Sequence, residues 1–73
     1  MSIRPFLAGR AFDPEMIREM SLALESVCKT LNLPMKDGDE TRYVAAKIIE
    51  FAQRGVRGDD LRSMTLKQLK YDE

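Results

Sequence analysis

Residues 48–64 read IIEFAQRGVRGDDLRSM. An apolar pattern at helical spacing stops at Gly55, a short turn follows, and a second helical pattern opens at Asp59. Helix pairs that read DNA share this outline, and so do many that only pack. Which of the two this stretch belongs to depends on the residues around it.

Upstream, Val44, Ala45, Ile48, Ile49, Phe51 and Ala52 occupy an arc of roughly 160° on a helical wheel, wider than one neighbour requires. That breadth predicts a central helix touched on two sides. Its start is expected near Asp37 or Asp39. With Asp37 as cap, Glu40 falls at the third helical position and completes an approximate capping box. Gly55 is expected at the left-handed position that ends the helix, with Val56 packing back on the last turn. Downstream, Asp59 is the expected cap of a further helix and Asp60 lies in its first turn. The apolar residues of this last helix form no single stripe. Leu61 and Met64 agree in direction, Leu69 is marginal, and Leu66 points elsewhere.

The strongest start signal lies further upstream, in FDPEMI, residues 12–17. Asp13 can accept from a free N–H of the first turn, and Pro14 stands where its missing N–H costs nothing. Glu15 faces the positive end of the helix dipole, and Phe12 and Ile17 hold the two positions of a hydrophobic staple. Met16, Ile17, Met20, Ala23, Leu24, Val27, Cys28 and Leu31 share an arc of roughly 140°, a core-facing stripe. Arg18, Glu19, Glu25, Ser26 and Lys29 lie opposite, and Leu22 points into that polar side. Asn32 is the expected left-handed terminator, and Pro34 prevents continuation. Before Phe12, Pro5 and Gly9 break any helix, so Ile3, Phe6 and Leu7 belong to an arm expected to lie on the core or to fray.

Composition narrows the functional classes. The chain has 73 residues and a formal net charge of zero, so there is room for one small core and no overall field toward nucleic acid or anionic membrane. One cysteine and no histidine exclude a disulfide scaffold and a His/Cys zinc site. Cys28 has no histidine to activate it and lies on the apolar arc, which predicts an inert buried thiol. DGDE, residues 37–40, fails as a calcium loop: Arg42 falls where glycine is needed and Ile48 where the bidentate glutamate belongs. Asp59 and Asp60 are adjacent and diverge on a helix, so they form no catalytic pair. No phosphate-binding glycine loop is present. The chain is therefore expected not to be an enzyme and to need no cofactor. No apolar run is long enough to cross a membrane, and the first residues lack the apolar region of a signal peptide. A cytoplasmic setting is expected.

The helix-turn-helix reading meets three objections. The position four before Gly55, where the two helices of a reader nearly touch, holds Phe51, and Ala52 is one residue late. The turn carries a second glycine, Gly58. The final helix opens with Asp59 and Asp60, which repel phosphate. In its favour, residues 41–71 hold Arg42, Lys47, Arg54, Arg57, Arg62, Lys67 and Lys70 against Glu50, Asp59 and Asp60. A solvated helical face accounts for that excess equally well.

AFDPEMI, residues 11–17, and VAAKIIEFAQRGVRGDDL, residues 44–61, resemble segments of a group of short, uncharacterised proteobacterial proteins. These open a first helix with F-D-P-E and close a second with an I-I-x-x-A-x-x-G run. The resemblance covers most of the chain from Phe12 to Leu69. It rests on caps and core positions, so it implies a helical fold and a bacterial cytosolic setting, and it brings no activity, ligand or catalytic residue.

The expected fold is all-α, a three-helix bundle with a short N-terminal arm. The arm spans 1–12 and a single domain spans 13–73, with helices over about 14–31, 38–54 and 59–70. The expected role is a small non-catalytic interaction or regulatory module whose partner is another protein or a second copy of the chain. A nucleic-acid-binding domain with a degenerate helix-turn-helix is the alternative. Leu22, Tyr43, Lys47, Arg54, Arg57, Arg62 and Leu66 make up the candidate interaction surface, being apolar or basic residues that the core does not claim.

Overall fold

The computed structural model describes residues 2–33 and 38–71. A 3-10 turn at Arg4–Phe6 precedes three α-helices, α1 (Pro14–Thr30), α2 (Asp39–Gln53) and α3 (Asp59–Tyr71), and the described residues contain no strand. Each helix packs against the other two, and the 3-10 turn packs on α2, so the fold is a three-helix bundle with an N-terminal arm.

The ends of α1 follow from local chemistry. The Asp13 side chain accepts a hydrogen bond from the Met16 N–H at 2.9 Å, and Pro14 opens the helix. Phe12 and Ile17 both pack against the core. At the other end Asn32 adopts φ +58°. The Leu33 N–H then reaches the Cys28 carbonyl at 2.8 Å, and the Asn32 N–H reaches that of Lys29 at 3.2 Å. This reversal returns Leu33 to the core and leaves Leu31 40% exposed, so Leu31 does not belong to the core stripe as expected. The remainder of the stripe, Met20, Ala23, Leu24, Val27 and Cys28, is buried, with Met16 and Ile17 half-buried beside it.

In α2 all six residues of the broad apolar arc are buried. Gly55, at φ +93°, closes the helix: Val56 N–H bonds the Phe51 carbonyl and Gly55 N–H that of Ala52, both at 3.0 Å. Val56 packs on the core, as the glycine position predicts. At its start the residue before the helix is Gly38, which offers no side-chain cap; Asp37 and Pro34, invoked as cap and terminator, lie outside the described residues.

The third helix departs most from expectation. It begins at Asp59 itself, so Asp59 stands in the first turn rather than at the cap. Leu61 is buried, but Met64 is 41% exposed, whereas Leu66 and Leu69 pack against the core. The centre of the buried face is Thr65, at 0% exposure and one turn beyond Leu61. A hydrophobic pattern scores threonine as polar, so the wheel lacked its central residue and Met64 drew the expected face the wrong way.

The arm is part of the core. Ile3 and Leu7 are both buried within the main cluster, and the Ile3 N–H donates to Ser21 Oγ of α1 at 3.0 Å. Ala8 and Gly9, both at positive φ, then turn the chain toward Phe12. Among the described residues no helix is long and apolar enough to cross a membrane.

Candidate interaction site

The turn that raised the helix-turn-helix question is tied to the opposite helix. Glu19 of α1 is half-buried and receives Arg57 in a two-point contact, Nε to Oε1 at 3.0 Å and Nη2 to Oε2 at 2.7 Å. Its Oε1 also accepts the Gly58 N–H at 2.7 Å. The Arg57 hydrogen bonds, then that of Gly58, hold the Glu19 carboxyl below the usual glutamate range, and the same contact raises Arg57. A carboxylate thus takes the anion position at the amino end of α3, next to Asp59 and Asp60. Nothing local in the sequence announced this: Glu19 lay on the polar side of α1, and its partners are 38 and 39 residues away.

The other candidate residues scatter. Arg54 pairs with Glu50 at 2.8 Å, one helical turn back. Arg62 is exposed on α3, and Leu22 is 59% exposed on α1. Lys47 lies over the Tyr43 ring at 5.5 Å from its centre, a cation–π contact on the outer face of α2. Cys28 is buried, and desolvation raises its thiol above the ordinary value, away from a reactive thiolate.

Tyr43 and Leu66 do meet. Both line a groove of about 830 Å³ at one end of the bundle. Thr30, Leu31 and Leu33 supply its α1 side, Asp39, Glu40, Tyr43 and Val44 its α2 wall, and Leu66, Lys67, Leu69 and Lys70 its α3 wall. The lining is mostly carbon; Leu31 and Tyr43 are 40% and 45% exposed, and Leu33, Leu66 and Leu69 are half-buried. Local spacing explains both walls. Glu40, Tyr43 and Val44 stand at i, i+3 and i+4 on α2, and Leu66, Leu69 and Lys70 repeat that spacing on α3. The helical wheel assigns Leu31 to the core stripe and does not single out Leu33, because it does not capture the reversal at Asn32. A smaller hollow of about 380 Å³ forms where the arm crosses α2, with Phe6, Arg10, Arg42 and Ile49 among its lining residues. Compared with protein-family models, with curated proteins and with solved structures, the chain matches none.

Proposed function

We infer that the chain is a small non-catalytic interaction module whose contact surface is the groove between the ends of α1, α2 and α3. The observation that carries this reading is the groove itself, with Leu31 and Tyr43 substantially exposed beside half-buried Leu33, Leu66 and Leu69. Scattered apolar side chains on a surface are ordinary, whereas several gathered in one concavity are characteristic of a contact site. The absence of histidine from the sequence and the buried Cys28 support the non-catalytic part. A bacterial cytosol is the setting that the resemblance of AFDPEMI and the Gly55 run favours.

Nucleic-acid binding ranks below this reading. Of the basic groups flanking the α2–α3 turn, Arg57 is committed to Glu19 and Arg54 to Glu50. Three carboxylates gather at the amino end of α3, where a reader places its phosphate contacts. The test is retention of cell components on immobilised chain, with protein and nucleic acid both scored. The reading expects a protein retained by wild type and lost with Leu31→Ser or Tyr43→Ser at unchanged helical content. Retention of duplex DNA that falls steeply with salt, and is lost in an Arg54/Arg57/Arg62 triple alanine variant, would overturn it.

A further inference from the structure

We propose that the groove receives an amphipathic helix of about three turns from a partner protein, with basic side chains along the edge facing α2 and acidic side chains along the edge facing α3. This rests on the groove being the contact surface. Its volume admits a helix. Half the cross-section of a three-turn helix, 10–12 Å across and about 16 Å long, fills on the order of 600–900 Å³. The groove holds about 830 Å³. A peptide that binds by strand addition would need a sheet edge to pair its backbone, and the described residues form no strand, whereas a helix satisfies its own N–H and C=O groups. A second copy fits less well, because two facing hollows leave their apolar floors apart.

The charges on the rim choose the edges. Asp39 and Glu40, both exposed, stand on the α2 wall, and Lys67 and Lys70, both exposed, on the α3 wall. Between them the floor is apolar, with Leu31, Leu33, Val44 and Leu69. A leucine stripe at i, i+3 or i+4, and i+7 would supply the affinity. Rim charges contribute little energy each, but they select the partner and fix the direction in which its helix lies.

The probes are three designed helical peptides of about fourteen residues sharing one leucine stripe. One carries lysine along one edge and glutamate along the other, one carries lysine on both, and one carries glutamate on both. Binding is read by fluorescence anisotropy at low salt, and its location by amide shifts of the labelled chain. The mixed peptide is expected to bind roughly tenfold tighter than either uniform one, the combined effect of several exposed ion pairs. The shifts should centre on Leu31, Tyr43, Leu66 and Leu69. In a Lys67→Glu/Lys70→Glu double variant, with helical content checked, the preference should move to the all-lysine peptide. Equal affinity for the three peptides at the groove, unchanged in the double variant, would overturn the edge assignment and leave the groove as a contact surface. No shift in groove residues with any peptide would overturn both.

Discussion

Thr65 is fully buried, and among the described residues its hydroxyl finds no hydrogen-bond partner. A buried donor left unpaired costs about 1–3 kcal/mol, while its removal in a side chain of equal shape is neutral or stabilising. Thr65→Val should therefore raise stability by about 1 kcal/mol in a urea titration, and Thr65→Ser, which keeps the hydroxyl and loses the methyl, should lower it. A less stable Thr65→Val would mean that the hydroxyl is satisfied in solution. Glu19 contributes in the opposite sense. Its carboxyl, lowered chiefly by Arg57, binds a proton less readily in the folded chain than in the unfolded one. The stability it adds is fully present above the ordinary glutamate range and is lost as pH falls through the lowered value. Glu19→Gln should destabilise the protein at neutral pH, and the gap to wild type should narrow as pH falls. Parallel melting curves at every pH would show that the ion-pair geometry is irrelevant to stability.

Helix ends account for most of the agreement between pattern and structure. The cap at Asp13, the proline at position 14 and the left-handed Asn32 and Gly55 are local devices, each needing only a few neighbouring residues. Asp13→Ala should cost about 0.5–2 kcal/mol, with Asp13→Asn close to neutral, since asparagine accepts the same bond. If both variants melt like wild type, the Met16 N–H has another partner. Gly55 offers a cleaner separation of backbone from packing. A Cβ there would meet nothing within 4 Å, so Gly55→Ala should cost only the left-handed strain, about 1–2 kcal/mol by chemical denaturation. A much larger loss would point to a contact at the turn that its open surroundings do not suggest. The α2–α3 turn is also held by a contact from outside it. Gly58, at φ +60°, presents its N–H to Glu19. That contact draws the turn toward α1 and fills the amino end of α3 with a carboxylate.

The bundle closes on one core that runs from the third residue of the chain to Leu61 and beyond. Ile48, fully buried on the helix that touches every other element, and Ile3, fully buried in the arm, are both part of it. For a chain of 73 residues, stability on the order of 4–11 kcal/mol is expected. Ile48→Ala and Ile3→Ala should each remove about 2–5 kcal/mol, a large part of that total. Equilibrium denaturation of the two variants side by side tests whether the arm belongs to the cooperative unit. An unchanged midpoint for Ile3→Ala would separate the arm from the bundle.

Helix number, limits and buried faces were readable where the determinants are local. The periodicity of Met20 to Cys28 and of Val44 to Ala52 and the caps at Asp13 and Gly55 act within a turn or two of backbone, and the chain carries them wherever it goes. Three features depended on residues far apart. The Glu19 tie to Arg57 and Gly58 spans just over half the chain. The rotation of α3, with Thr65 inward and Met64 outward, is set by the surface that α1 and α2 present together, since its own pattern is too weak to choose. The groove exists only where three helix ends converge. Tyr43 and Leu66 were legible only as single residues outside the core arcs, and the packing of the helices is what gathers them with Leu31 on one surface.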